Sequence, residues 1–280
     1  MTKSEWVPVL LALGLAIPTG ANAQPSTFDV VSIKAADPAS RAIGWDIRPG
    51  GRFHAAGIPV FILIAASYDV PFQSKRLTGG PDWLDERYDI DAAPAAGAIP
   101  PTVVGKALDA RVRPMLQAML ADRFKLVIRH ENKEMPIYIV TVAKGGAKLK
   151  PAEVQEADCP VEPEKAPNCH NLGGGMGRGM HGAAVDVDDI ALFAANWADR
   201  PIVNRSGLKG LFAVDTEGWT MGTPRQPRED GSPDPEAERM ADPSRPTIFM
   251  IFSRLGLNLE SSKGLVDSYV IESIQRPTAN

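Results

Sequence analysis

The stretch that decides the fold is residues 58–92, which begins Ile58-Pro-Val-Phe-Ile-Leu-Ile-Ala-Ala-Ser-Tyr68 and continues through Leu77-Thr-Gly-Gly-Pro81 to Arg87-Tyr-Asp-Ile-Asp-Ala92. The first part is an apolar run with a proline suited to a first helical turn, so it predicts a helix. The glycine–proline segment predicts a turn, and the last part alternates polar and apolar residues as a half-buried strand does. A helix that covers strands on one side is the building unit of an α+β fold.

The same order of elements recurs in the second half of the chain. Residues 188–197 predict a helix, residues 201–204 a short strand, and residues 211–217 a further strand. His54 and His181 take equivalent places in the two halves. We therefore predict an α+β protein of two related halves, built from helix–strand–strand units with small, mostly antiparallel sheets covered by helices. Chance similarity between short amphipathic segments is the alternative.

Each half also contains a second helix followed by strands. The spacing of apolar residues over 111–124 is that of an amphipathic helix, and residues 125–130 and 135–143 predict a hairpin with a polar turn between its strands. Residues 247–255 predict the last helix, followed by two strands at 257–260 and 269–274. The chain thus offers a helix for each small sheet.

The N-terminus has the organisation of a signal peptide. Lys3 precedes an apolar stretch of 11 residues from Val7 to Ile17, and Ala21-Asn22-Ala23 forms an A-x-A cleavage site. An uncleaved anchor helix is the alternative, but a bilayer-spanning helix needs about 20 residues. We therefore expect a signal peptide over residues 1–23 and an exported protein, periplasmic or extracellular, with no membrane span in the mature chain.

Composition divides the remainder of the chain into three parts. Residues 24–150 and 182–277 are the two α+β halves, and residues 151–181 are a Gly/Pro-rich loop that includes the flexible-looking stretch Gly173–Gly179. Residues 222–245 are rich in proline and charge and are expected to be a mobile insertion in the second half.

The two cysteines, Cys159 and Cys169, lie ten positions apart in this loop. In an exported protein, an even number of cysteines at close spacing favours a disulfide. A metal site formed by both thiols with His170 is the alternative, but the paired C-x-x-C spacing of structural zinc sites is missing. We predict the disulfide and no metal site.

The overall composition excludes some classes of function. The chain has 280 residues, 44% of them hydrophobic, which is enough for a sizeable core. A formal net charge of −4 argues against nucleic-acid binding, which needs a clustered positive surface. The Gly173–Gly179 stretch follows no predicted strand, so it does not indicate a nucleotide site. We expect no cofactor.

The sequence contains no convincing catalytic motif. Ser206-Gly-Leu-Lys209 matches the S-x-x-K pattern of penicillin-recognising enzymes, but its glycines place it in a turn. His130-Glu131 starts like the zinc motif H-E-x-x-H, but Glu134 stands where the second histidine should be. No catalytic residue is therefore assigned.

A small group of acidic residues precedes the predicted helix of the second half. Asp186, Asp188 and Asp189 offer oxygen ligands for Ca²⁺, but acidic residues at a helix start also cap the helix. Capping is the favoured interpretation.

Four residues are candidates for ligand binding: Asp82, Trp83, Tyr88 and His54. The aromatic pair could present a surface to a glycan or a peptide, or Trp83 could cover the core. The favoured function is a non-catalytic binding or interaction module whose partner is an unknown peptide, glycan or envelope protein. The alternative is a secreted hydrolase with a non-standard site near His54, Asp82, Asp85 or His181, which would need a pocket where these groups converge.

Several ordered motifs resemble the "soil-associated" exported protein family, a domain of unknown function expanded in soil bacteria. They are Phe28–Lys34, Pro49–Phe53, Gly79–Trp83, Tyr88–Ala92, Met119–Leu126, Val142–Pro151, Arg200–Gly210, Leu255–Leu259 and Gln275–Pro277. The resemblance implies no catalytic residues. Some relatives join this domain to a membrane-embedded zinc peptidase of the antibiotic-sensor kind, a part that this chain lacks. By pattern alone, the units are also similar to the signalling domains of secretins and TonB-dependent receptors.

Overall fold

Twelve strands and four α-helices form from the residues that the computed structural model describes, 27–72, 74–159, 169–220 and 244–277. The predicted signal peptide and most of the predicted insertion lie outside these residues. The strands are β1 (Val30–Ala35), β2 (Gly44–Arg48), β3 (Arg52–Pro59), β4 (Leu77–Gly79), β5 (Arg87–Ala93), β6 (Val127–Val142), β7 (Lys150–Pro151), β8 (Gly173–Gly175), β9 (Gly179–Val185), β10 (Ile202–Asn204), β11 (Phe212–Asp215) and β12 (Leu257–Ser273). The helices are α1 (Val60–Ser67), α2 (Gly105–Arg123), α3 (Val187–Ala195) and α4 (Ile248–Arg254), and short 3-10 turns cover Asp82–Asp85 and Glu156–Asp158.

The strands form three four-stranded sheets. The first sheet has the order β1-β5-β3-β2 and the third sheet the order β7-β11-β9-β8, and both are antiparallel. The central sheet has the order β10-β6-β12-β4, in which the long strands β6 and β12 are antiparallel and each edge strand runs parallel to its neighbour. The predicted α+β class with small, mostly antiparallel sheets is confirmed.

The strand pairing has the same pattern in both halves. Each strand of the first sheet corresponds to the strand six places later in the third sheet. In the central sheet, Leu77 of β4 pairs with Tyr269 of β12, and Ile202 of β10 pairs with Tyr138 of β6. That the halves arose by duplication stays a prediction, and so does the division of the chain into the predicted ranges.

The predicted hairpin over residues 125–143 is wrong. Residues 127–142 are one strand, β6, and residues 257–273 are likewise one strand, β12. The polar residues 130–134 do not turn because each pairs with a residue of β12, for example Glu134 with Leu265 and Glu131 with Ser268. Continuous pairing satisfies the backbone N–H and C=O groups along both strands, which outweighs the local polar pattern.

The Gly-rich stretch Gly173–Gly179 is also not a flexible loop. It forms β8, a turn and the start of β9, an antiparallel hairpin at the edge of the third sheet. A Cβ at Gly174 or Gly179 would collide with neighbouring carbonyl oxygens, so these glycines allow the backbones to approach closely.

Two large hydrophobic clusters form the core. The first lies between the first sheet and α1 and α2, and it includes Phe53, Ile90, Leu120 and Phe124. The second includes Met180, Ile190, Trp219 and Phe252, together with residues of β6 and β12. Full burial of each large side chain stabilises the fold by about 1.5–3 kcal/mol. Within the described residues, no helix has the length and apolarity needed to cross a membrane.

Candidate functional site

The predicted disulfide is confirmed. Cys159 and Cys169 are bonded, with their Cα atoms 5.6 Å apart. The bond joins the turn Glu156–Asp158 to the strand-like backbone at Cys169, which bridges to Ala184 beside the start of α3. This junction brings residues from distant parts of the sequence around His170.

His170 lies between two carboxylates. Its Nδ1 is 2.7 Å from Asp189 Oδ2, and its Nε2 is 3.0 Å from Glu156 Oε1. Lys106, near the start of α2, places its Nζ 2.7 Å from Asp189 Oδ1 and 3.1 Å from Asp186 Oδ2. The side chains of His170 and Asp189 are each only 7% exposed. We call these five residues the His170 network, and it links α2 of the first half to α3 of the second.

The acidic residues of the network cap α3. The Asp186 carboxylate accepts a hydrogen bond from the N–H of Asp189 at 2.7 Å, and the Asp189 carboxylate accepts one from the N–H of Asp186 at 2.9 Å. The capping interpretation is therefore confirmed, while Asp188 is exposed. His170, Asp186 and Asp189 could also hold a metal ion, since one ligand atom from each lies within 4.8 Å of the others. The ammonium of Lys106 already supplies a cation to both carboxylates, so we assign the network a structural role.

The charges of the network favour a protonated histidine. Burial alone would lower the pKa of His170, but its bonds to Asp189 and Glu156 outweigh burial and raise it. Burial likewise opposes ionisation of Asp186, yet hydrogen bonds from Asp189 and Lys106 lower the pKa of Asp186. Protonated His170 donates from both ring nitrogens, so the network holds best when this histidine is charged.

We expect the free energy of unfolding to fall as the pH rises above about 6.5, the usual pKa of histidine. Because the pKa of His170 is higher in the folded state, its stabilising charge is fully present below the unfolded pKa and is lost as the pH rises through the folded pKa. Urea unfolding of wild type and His170→Asn over this range measures the effect. Asparagine tolerates the left-handed backbone of His170, with φ 55°.

His181→Asn is the control for this pH dependence. The carbonyl of Arg178 and the carboxylate of Asp215 raise the pKa of His181 as well, but its side chain is 49% exposed, so its contribution should be small. An equally steep loss of stability in His170→Asn and wild type would contradict the role given to His170.

A second candidate site is an apolar cleft of about 250 Å³ beside β2. Trp45 and Ile47 of β2 form one wall, and side chains of α1, α2, α3 and the segment after α1 form the remainder. These include Ile62, Ala66, Phe72, Leu116 and Leu192. We call it the Trp45 cleft.

The Trp45 cleft exposes large apolar side chains to solvent. Trp45 is 44% exposed, Leu192 is 37% exposed, and Ile43 just before β2 is 60% exposed. Odd-numbered residues of this segment are apolar and even-numbered ones include Asp46 and Arg48, as expected for a strand with one apolar face. In the third sheet, Trp197 instead packs against the equivalent edge strand at Gly175 and against buried Trp219.

One end of the Trp45 cleft is charged. Arg113 donates to Asp69 at 2.7 Å, and Asp109 also lines the cleft. Burial raises the pKa of Asp109, the nearby Arg113 lowers it and Asp69 raises it further, with a net upward shift. A smaller adjoining cleft of about 220 Å³ shares Pro71 and Leu192 with this one.

Neither His54 nor His181, the two candidate histidines, lines a cleft. His54 lies on the solvent side of the first sheet, with Nδ1 3.1 Å from Asp91 Oδ1, and does not line either cleft. His181 makes the equivalent contact in the third sheet, with Nδ1 2.6 Å from Asp215 Oδ1. These matching cross-strand pairs hold neighbouring strands, since His54 pairs with Asp91 and His181 with Asp215 in register.

The other candidate residues lie on β5 and on the short turn before it, away from the His170 network and the Trp45 cleft in sequence. Tyr88 is buried and packs edge-on against Phe124, on the opposite face of the sheet from His54. Trp83 packs partly against the first core, with the guanidinium of Arg276 4.9 Å from its ring centre. Asp82 and Asp85 are exposed on the short turn that carries Trp83. That Asp82, Trp83, Tyr88 or His54 binds a ligand stays a prediction.

The sequence alone singles out Asp186, Asp189 and His170, but not Lys106, Glu156 or the residues of the Trp45 cleft. A local signal existed at Ile43–Ile47, where alternating apolar and polar residues indicate a strand with one apolar face. Lys106 and Glu156 carried no such signal, because only the tertiary fold brings them to His170.

Fold and site together define an α+β protein with one disulfide and an apolar surface cleft beside an open sheet edge. The chain belongs to the family described as "Protein of unknown function (DUF3738)", whose model matches residues 62–274. No curated protein and no solved structure matches the chain.

Proposed function

We propose that the protein is a non-catalytic binding module that holds an apolar part of its ligand in the Trp45 cleft. The exposure of Trp45 carries the proposal, because tryptophan is enriched at the energetic centres of interfaces and large exposed apolar side chains cluster at binding surfaces. A cleft of about 250 Å³ is smaller than most small-molecule pockets, so it suits one or two side chains of a larger ligand.

Export belongs to the same proposal. The disulfide favours an oxidising compartment, and residues 1–23 have the pattern of a signal peptide. The resemblance of the sequence motifs to soil-associated exported proteins also supports export. We infer a periplasmic or extracellular ligand, with a peptide segment of an envelope protein as the leading class.

Trp45→Ala should weaken ligand binding at least about tenfold, since loss of a central aromatic anchor costs about 2 kcal/mol or more. A random peptide library displayed on phage supplies the ligands, and titration of the selected peptides measures affinity. Leu265→Ala, which truncates a side chain that is 71% exposed elsewhere, is the matched control. If selected peptides bind wild type and Trp45→Ala equally, the cleft is not the binding site.

The alternative function, a secreted hydrolase, would need a cleft lined by its candidate residues. Neither cleft is lined by His54, Asp82, Asp85 or His181, which favours binding over hydrolysis. A screen of ester, phosphate, glycoside and peptide substrates on the folded protein should give no turnover. Turnover that His54→Ala or Asp82→Ala abolishes without loss of folding would overturn the binding proposal.

A further inference from the structure

The edge of the first sheet lies directly beside the Trp45 cleft. Within the described residues, β2 pairs only with β3, from Gly44 opposite Ala56 to Arg48 opposite Arg52. In an antiparallel pair, every second residue of an edge strand directs its N–H and C=O away from its neighbour. A Cβ placed on Gly44 would meet no atom within 4 Å, so the start of β2 is uncovered on the sheet face away from the cleft.

The side chains of β2 match the pattern that an added strand would need. Trp45 and Ile47 face the cleft, whereas Asp46 and Arg48 form an ion pair at 2.8 Å on the other face. A strand added about 4.8 Å beyond β2 would continue the first sheet and direct alternate side chains to the cleft side. Backbone hydrogen bonds would give such a complex its affinity, and the cleft its selectivity.

Other sheet edges in the described residues are less suited to strand addition. β4, β8 and β10 have three residues each and β7 has two. β1, at the opposite edge of the first sheet, has six residues but contributes none to either cleft. Proteins commonly protect their sheet edges by keeping edge strands short, so the five-residue β2 beside an apolar cleft is distinctive.

The charge of the cleft specifies a further property of the ligand. Among the residues that line the cleft, Asp69 and Asp109 face one guanidinium, that of Arg113, which bonds Asp69 directly, and Arg76 of the adjoining cleft also attracts Asp69. A ligand cation beside Asp109 would balance the second carboxylate. A ligand carboxylate at this position would be repelled by the carboxylate of Asp109.

We infer that the ligand is an extended peptide that adds to β2 as a fifth strand of the first sheet. It places an apolar side chain in the Trp45 cleft and a lysine or arginine beside Asp109. This inference rests on the proposed function and names its ligand class.

The probe is an acetylated, amidated peptide of alternating valine and threonine with one central phenylalanine and one lysine. Two further peptides carry N-methyl groups on one or the other alternate set of residues, which blocks hydrogen bonding along one edge only. We expect one methylated peptide to bind at least about tenfold more weakly and the other to bind like the parent. Replacing lysine by glutamate should weaken binding about three- to fivefold, and Asp109→Asn should reduce this preference.

Calorimetry gives the affinities, and amide hydrogen exchange should show new protection in β2. Equal binding of both methylated peptides, or no binding of the parent at millimolar concentration, overturns strand addition. The proposed function is judged separately, by whether library-selected peptides depend on Trp45. A dimer of the free protein that pairs through β2, seen by sedimentation equilibrium and abolished by Trp45→Lys but not Leu265→Lys, would replace the peptide by a second copy of this chain.

Discussion

Asp189→Ala should lower the free energy of unfolding by about 2–4 kcal/mol, because it removes the capping-box acceptor for the N–H of Asp186 and leaves Nδ1 of the buried His170 without its partner. The Asp189 carboxylate is 7% exposed and contacts the Nδ1 of His170, the Nζ of Lys106 and the N–H of Asp186, each within 2.9 Å. The side chain of Lys106 is about half exposed and keeps its contact with Asp186. Most of the lost stability therefore comes from His170 and from the start of α3.

Asp188→Ala is the matched control for this prediction. Asp188 stands one residue earlier in the first turn of α3 but is exposed, so its removal should change stability by about 0.5 kcal/mol or less. Asp189→Asn keeps an acceptor for the N–H of Asp186 and should cost less than Asp189→Ala. Urea unfolding followed by tryptophan fluorescence gives all three values. Equal losses for Asp188→Ala and Asp189→Ala would refute the network.

A double-mutant cycle connects this prediction to the pH dependence. The effects of Asp189→Ala and His170→Asn should be less than additive, because each removes the same contact. Once Asp189 is gone, the stability lost above about pH 6.5 should shrink as well, since its carboxylate helps to raise the pKa of His170. Additive effects would mean that the two residues stabilise the protein independently.

The parts of the His170 network differ in how far the sequence predicts them. The cap of α3 follows from Asp186 and Asp189 three positions apart at a helix start, and the disulfide follows from two cysteines in an exported chain. Both are local or compositional signals. Lys106 is far from Asp189 in the sequence and Glu156 is far from His170, and no local pattern shows that these pairs meet.

The Trp45 cleft is likewise only partly predictable from the sequence. Alternation over residues 43–47 predicts a strand with an apolar face, but not whether that strand is central or at an edge. The edge position depends on β5 pairing with both β1 and β3, which leaves β2 at the end of the sheet. The opposite wall comes from Phe72 and Leu192, and only the packing of the two halves brings them together.

The fold itself was more predictable where apolar spacing was strong. The apolar run over residues 58–68 and the helical pattern over residues 188–197 predicted α1 and α3, with ends shifted by one to two residues. Prediction failed where local composition opposed tertiary pairing. The polar residues 130–134 and the Gly-rich stretch 173–179 both look like loops in the sequence, yet both belong to sheets.

Gly179→Ala should therefore lower the free energy of unfolding by about 2–5 kcal/mol, from a strained backbone and a steric clash. Gly179 has φ 96°, and a Cβ there would collide with the carbonyl oxygen of Thr216. This approach is fixed by two hydrogen bonds, from the N–H of Met180 to Thr216 Oγ1 at 2.9 Å and from the N–H of Thr216 to the Met180 carbonyl at 3.0 Å. Met180 is fully buried, so a shift of β9 would also disturb the second core.

Gly207→Ala separates the two causes of this loss. Gly207 also has a positive φ, 72°, but a Cβ there would meet no atom within 4 Å. Its substitution should therefore cost about 1–2 kcal/mol from backbone conformation alone. The difference between the two variants, measured by urea unfolding, gives the cost of the clash in β9. If Gly179→Ala costs no more than Gly207→Ala, the Gly-rich segment behaves as a loop in solution, and the close packing of β9 against the residues after β11 does not form.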